Sequence, residues 1–392
     1  MFSIKRKYLK NKRFIKNNII EGIVIDSSDV KHLPRTECQK PDTKIWKIAM
    51  WGSYFDFELI EKLKEKSEKI SMFFNNNSID YGVGLELSFP ANKLNNEIKK
   101  IPNINPKTVL KYYTPVENAD ELDNVYFRRF GKTSAFYTNH VLLNEGIQKS
   151  NITASYIDYN SSFYKGLVGI YSMTDDNNLL KIITLFLNSN FTKYYAFLLT
   201  STWGIERDVI KHKELFDIPF IVDILNSTIK EKLIIKFDEI SNRFLKHDVL
   251  KIEKEINDII IDVLNENEQT IIQDTLNFSL DLFEKQEKSD AVKHVLAIDH
   301  YYNRLTTDLN NWLEDVDLKA SVTHYKIDRN CPLYMVKISF GNEYKKPVLS
   351  REDIYNELKA LDKKLWKEEA QNLYFRKKLN YYDGNDVYII KP

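Results

Sequence analysis

Glycine and proline are scarce in this sequence, 11 and 10 in 392 residues, which excludes collagen-like repeats and low-complexity linkers. Its two cysteines, Cys38 and Cys331, stand far apart and outside any Cys-x-x-Cys spacing. That argues against a disulfide scaffold, a zinc ribbon or a thioredoxin-type redox site, and fits a reducing cytoplasm. No apolar run approaches the ~20 residues a membrane-spanning helix needs. The most apolar window, 179–199, is broken by Asn188, Ser189, Asn190, Thr192 and Lys193, and residues 1–20 lack the apolar stretch of a secretory signal. Familiar catalytic patterns are also missing: there is no Walker loop, HExxH, GxSxG or kinase signature. The seven histidines are scattered, and His294 and His300 lie six apart on one expected helix, so they do not share a face for a metal. Asp353, Glu357 and Lys359 fall within a single expected helix, whereas two carboxylates sharing a metal are better held on a strand pair.

Against these absences, 43% hydrophobic and 13% aromatic residues supply a substantial core, and the length fits two or three domains of roughly 100–200 residues each. The net charge is only +1, yet it is segregated. Residues 1–20 hold seven Lys or Arg and no acid, whereas residues 251–290 hold four Lys against eleven Asp or Glu, a net of −7. This distribution suits a protein with one face toward an anion; each run taken alone also fits a solvated helix face.

Apolar spacing predicts a helix at 56–67 with Asp56 as its cap, then strands at 84–89, 109–113, 125–129, 140–143, 152–157 and 166–171. Short extended runs, such as 19–26, precede them. Residues 178–200 read as one long helix that Gly204 is placed to end, with Tyr194, Tyr195 and Trp203 at core spacing. Helices follow at 229–246, 250–264, 269–284 and 291–313, then strands at 319–327 and 333–340, a helix at 350–367 and a strand at 386–390. The expected fold class is α+β: a β-rich domain over 1–225, a helical segment over 226–289, and a small C-terminal α/β unit over 290–392. The one GxG, Gly82-Val83-Gly84, runs into the strand-like Leu85-Glu86-Leu87-Ser88-Phe89 and not into a helix N-terminus, so no cofactor is expected in this chain.

One stretch is far more specific than the rest. Asn188-Ser189-Asn190, Tyr194-Tyr195 and Ser201-Thr202-Trp203-Gly204-Ile205-Glu206-Arg207-Asp208, leaving through Leu215-Phe216-Asp217-Ile218-Pro219-Phe220, closely resembles a segment of the target-recognition region of TaqI-like and type IIG adenine-N6 DNA methyltransferases. Phe127-Arg128-Arg129-Phe130-Gly131-Lys132 and Val141-Leu142-Leu143-Asn144-Glu145-Gly146 look like the strands that lead into it. Lys47-Ile48-Ala49-Met50-Trp51-Gly52-Ser53, followed by Asp56, is similar to a motif near the region's entrance. Downstream, Glu253–Asp274 is similar to the helical part, with Val263-Leu264-Asn265 where the family usually has Tyr-Gly-Leu. The likeness covers residues 45–284. The cofactor turn and the Pro-Pro loop that such enzymes carry before this region are absent, since no two prolines are adjacent.

The resemblance implies a non-catalytic specificity subunit, or a separately encoded C-terminal half, of a bacterial adenine methyltransferase or restriction–modification system. It implies double-stranded DNA and an adjacently encoded catalytic subunit as partners, S-adenosylmethionine on that subunit, and a cytoplasmic, nucleoid-associated location without membrane contact. Arg128, Arg129 and Lys132 offer phosphate contacts, with an Arg fork for a guanine edge; Asn139 and Asn144 offer amide edges for adenine; Arg207 offers a further cation. Asn188, Ser189, Trp203, Gly204, Glu206 and Asp208 read as a motif that maintains the fold. The alternatives are a scaffold of a defence complex that uses the acidic helices at 250–284 for protein contacts, and an inert fragment of an interrupted gene.

Overall fold

The computed structural model describes residues 32–42, 44–87, 93–94, 97–122, 126–148, 150–205, 207–242, 249–285, 289, 298–325, 334–341, 356 and 379–391. The chain divides into two units, Met1–Lys293 and His294–Pro392. In the first, helices α1 (Arg35–Cys38), α2 (Lys44–Trp51), α3 (Tyr54–Lys66) and α4 (Ile70–Asn76) lead into the strands. The cap of α3 is Ser53 and not Asp56: Ser53 Oγ accepts from the Asp56 N–H while the Asp56 carboxylate accepts from the Ser53 N–H, which closes a capping box.

Strands β1 (Ile79–Val83), β2 (Lys93–Leu94), β3 (Asn103–Ile104), β4 (Tyr112–Tyr113), β5 (Tyr126–Phe127), β6 (His140–Gln148), β7 (Asn151–Ile157), β8 (Ser162–Phe163) and β9 (Leu167–Ser172) follow. The main sheet has the order β1-β9-β6-β7-β4, antiparallel except where β4 runs parallel to β7. Among the described residues, the strands expected at 84–89, 109–113 and 125–129 are two-residue pairings and isolated bridges such as Glu86 with Arg129. Pro102, Pro106 and Pro115 punctuate this layer, and each removes a ladder donor.

Alternation along the central strands splits the core in two. Val141, Leu143, Ala154, Val168 and Ile170 face one apolar cluster, and Leu142, Leu167 and Tyr171 face the other. Both faces are therefore covered, which is why β7 and β9 are buried along nearly their whole length. Gly82 and Gly169 are opposite one another in register. A Cβ on the first would fall 2.5 Å from Lys132 Cβ, and one on the second 2.5 Å from the Phe163 ring. The GxG is thus a seam of close layer packing.

The expected single helix at 178–200 is two helices, α5 (Asn177–Leu187) and α6 (Asn190–Leu199). Asp176 caps α5 and Ser189 caps α6 by accepting from the Thr192 N–H. Between them, Asn188 accepts from Ala154 N (3.0 Å) and donates to Ala154 O (2.7 Å), fastening the break to β7. Gly204 does not end a helix; α6 stops at Leu199, and Gly204 takes a left-handed φ of +82° in the turn beyond. After α7 (His212–Phe216) come α8 (Ser227–Asn242), α9 (Val249–Ile261), α10 (Glu266–Asp274), a π-helical turn (Thr275–Leu280) and α11 (Asp281–Lys285). Their stripes, among them Leu233, Phe237, Ile252, Ile256 and Ile272, join the same cluster as Val141 and Ile170. Residues 226–242 and 249–285 therefore belong to the body of the β-rich domain, and residue 225 is not a boundary between compact units.

The second unit packs α12 (Ile298–Trp312) on an antiparallel sheet of β10 (Lys319–Tyr325), β11 (Tyr334–Gly341), β12 (Leu379–Asp383) and β13 (Asp386–Lys391), in the order β10-β11-β13-β12. Strand β12 is an addition to the sequence reading. Its core gathers Leu309, Leu313, Ala320, Val322 and Ile338, and Asn310 pairs with both main-chain groups of Ala320. The extended run at 19–26, the helix expected at 350–367 apart from residue 356, with Asp353, Glu357 and Lys359, and Glu206 lie outside the described residues. Among the described residues no helix is long and apolar enough to cross a membrane.

Candidate nucleic-acid interface

Two stretches more than 150 residues apart meet at the end of α6. Lys47, wholly buried on α2, donates from Nζ to the carbonyls of Thr200 (2.8 Å) and Trp203 (2.5 Å), and Trp51 Nε1 donates to Gly204 O at 3.0 Å. The end of a helix exposes carbonyls that lack intrahelical donors, and a lysine reaching across satisfies them. Burial pushes the Lys47 ammonium down to about 7, against the attraction of Glu214. Trp203 is itself fully buried, edge-on to Phe197 at 5.5 Å. Asp56 gathers four donors: Ser53 N and Oγ, the Tyr194 hydroxyl (3.0 Å) and the Thr275 hydroxyl (2.6 Å). Asn188, Ser189, Trp203 and Gly204 thus pack and cap within the fold.

Arg207 and Asp208 are exposed on the turn beyond. The backbone here is stitched to β6, since Ile147 N donates to Asp208 O (2.9 Å) and Ile210 N to Glu145 O (2.7 Å). Glu145 accepts from His212 Nδ1 (2.8 Å), His212 N and Lys211 Nζ. Although burial pushes its carboxyl up, these donors prevail and hold it at about 2. On the same strand, burial pushes His140 down to about 4, while Nδ1 contacts Thr138 O and Nε2 contacts Ser161 Oγ.

The basic segment lies on the layer that crosses β1. Arg128 and Arg129 are exposed and flank Glu86, their nitrogens 3.7 and 3.8 Å from its carboxylate. Lys132 pairs with Asp80, which also accepts from the Tyr171 hydroxyl. Lys165, which the sequence does not mark, reaches Glu86 at 2.8 Å. Glu86 is legible only as an acid between Leu85 and Leu87 in an otherwise apolar run, and Lys47 as a lysine inside Ile45–Trp51. The chain alone signals neither Lys165 nor Glu145 as a partner of these groups.

The two asparagines do not offer what adenine needs. Asn144 is buried, with Nδ2 donating to Pro106 O (2.8 Å) and Oδ1 accepting from Gly146 N (2.9 Å). Both Nδ2 hydrogens of Asn139 are used, toward Asn177 Oδ1 and the Tyr156 hydroxyl. Bidentate adenine readout requires a donor and an acceptor together, so these residues are structural in this conformation. A cavity of about 550 Å³ beside Thr200 and Ser201 is lined by Lys44, Lys64, Lys69, Glu214 and Asp217. Lys69 pairs with Asp217, and Lys44 with Glu61 outside it. Among the described residues no group of three or more His, Cys, Asp or Glu is placed to hold a metal. No family model matches this chain, and no curated protein matches it significantly in sequence.

Proposed function

We propose that this chain is the sequence-specificity subunit, or the separately encoded C-terminal half, of a bacterial adenine-N6 DNA methyltransferase or restriction–modification system. It grips duplex DNA and presents the target adenine to a catalytic partner that carries S-adenosylmethionine. The observation that supports this reading is the junction of Lys47 and Trp51 with Thr200, Trp203 and Gly204. These residues come from the two stretches that resemble the entrance and the core of the same target-recognition region, and each supplies the other's hydrogen-bond partners. The exposed cations at 128, 129 and 132 add an electrostatic footprint suited to a phosphate backbone.

Binding to a labelled duplex of mixed sequence, followed across a salt series, tests the reading. Each neutralised phosphate contributes about 0.9 to the slope of log K against log salt, so replacing Arg128, Arg129 and Lys132 together by Ala flattens that slope by roughly two to three units. Absence of salt-dependent duplex binding by the unaltered protein overturns the reading in favour of a protein scaffold. An unchanged slope in a folded triple variant moves the DNA face elsewhere.

A further inference from the structure

Three cations from two segments converge on one nearly buried carboxylate. Glu86 has a side-chain exposure of 11%; Lys165 Nζ is 2.8 Å from its Oε1, Arg128 Nη1 is 3.7 Å from the same oxygen, and Arg129 Nε is 3.8 Å from Oε2. The cations themselves point outward, 45%, 72% and 60% exposed for Arg128, Arg129 and Lys165. Main-chain bonds hold the three segments in place: Arg128 N donates to Glu86 O (2.8 Å), Glu86 N to Arg129 O (3.0 Å), and Lys165 N to Leu85 O (2.7 Å). The guanidinium separations exceed hydrogen-bonding distance, so Glu86 orients both forks through its field without occupying those N–H groups. Two oxygens amid three cations is also the arrangement that a phosphate oxyanion accepts from arginines and lysines.

We propose that Arg128, Arg129 and Lys165 form a cradle for a DNA backbone phosphate, with Glu86 as its positioning residue. Without an acceptor oxygen at position 86 nothing gathers the three like charges, whereas Gln in its place still offers one to Lys165. With Glu86 they stay gathered, and among the described residues its carboxylate offsets part of their positive charge. Glu86 therefore also restrains attraction to duplex of any sequence. This inference rests on the DNA-binding reading above.

The full chain is titrated with a short labelled duplex of mixed sequence between about 50 and 200 mM salt. Lys165→Ala, a change to an exposed side chain, flattens the salt slope by about one unit at unchanged melting temperature. Glu86→Gln preserves shape and one acceptor oxygen but removes the counter-charge. It tightens binding by about threefold at low salt, the effect of one elementary charge roughly 6 Å away in water, and the gain fades as salt rises. A merely structural role for Glu86 produces no such tightening. Wild-type binding with both variants indistinguishable from it overturns the cradle and leaves the DNA-binding reading standing, as does weaker binding by a folded Glu86→Gln. If Glu86→Gln fails to fold, the slope of Lys165→Ala decides alone. Failure of the unaltered chain to bind duplex overturns the DNA-binding reading and the cradle with it.

Discussion

Trp203 and Arg207 lie four residues apart in one motif and have opposite physical situations. The indole of Trp203 is fully buried, and among the described residues its Nε1–H has no acceptor. Trp203→Ala therefore costs about 3–5 kcal/mol, as a large core truncation. Trp203→Phe costs less, since it keeps an aromatic ring beside Phe197 and removes a donor that burial leaves unpaired. Arg207 is exposed, and Arg207→Ala changes stability by no more than about 1 kcal/mol, the range of a solvent-exposed charge and its surface contacts. Urea denaturation of the three variants measures both ends of this contrast. A loss of several kcal/mol in Arg207→Ala makes the arginine a structural partner within its turn. Gly204 is constrained by conformation as well as space, because its φ of +82° strains any other residue and a Cβ there would lie 3.0 Å from the Phe197 ring.

Among the elements, α3 and α6 are tied to the π-helical turn through Asp56. An ordinary helix cap contributes about 1 kcal/mol. Asp56 goes further, because the hydroxyls of Tyr194 and Thr275 both donate to its Oδ1 in the core, and each buried hydroxyl left without a partner adds about 1–3 kcal/mol. Asp56→Ala is expected to destabilise the protein by about 3 kcal/mol or more, and Tyr194→Phe by clearly less, as read from denaturant midpoints at constant m. A cost near 1 kcal/mol for Asp56→Ala reduces the residue to a local cap. The break between α5 and α6 has a comparable logic. Asn188 and Ser189 sit in an apolar stretch whose periodicity alone carries one helix through, yet their side chains bond backbone groups that a continuous helix would leave elsewhere.

At the scale of the whole molecule, three buried ionisable groups shape stability against pH. Glu145 is held at about 2, below its ordinary 4.5, so its contribution is complete above pH 4.5 and is lost as pH falls toward 2. His140 is depressed from 6.5 to about 4 by burial; its contribution is complete above pH 6.5 and is lost as pH falls through 4. Lys47 falls from 10.5 to about 7, so between these values the unfolded chain binds the extra proton and stability rises with pH. Denaturation midpoints therefore rise from about pH 7 to 9 in the unaltered protein, and Lys47→Met removes that rise. The same rise in Lys47→Met assigns it to another group. In Glu145→Gln the steepness of the acid limb below pH 4.5 is reduced.

The sequence by itself determined the α+β class, the central strands, the helical character of the described residues between 227 and 285, and the burial of Tyr194, Tyr195 and Trp203. Each is a matter of local period or local bulk, and local pattern survives in a one-dimensional reading. Sequence also marked Arg128, Arg129 and Lys132 as a cation run, because neighbours in the chain remain neighbours in space. Only tertiary structure decided that Gly82-Val83-Gly84 is a packing seam, since the atoms a Cβ would strike belong to Lys132 and Phe163. It likewise decided that Asn139 and Asn144 are committed within the fold, that residues 226–242 and 249–285 share the core of the β-rich body, and that Lys165 joins the arginines around Glu86. Their partners lie roughly 40 to 80 residues away or farther, and a hydrogen bond or ion pair across such a separation leaves no periodic trace along the chain. It exists only once the packing of alternate strand faces and capped helices brings the two segments together.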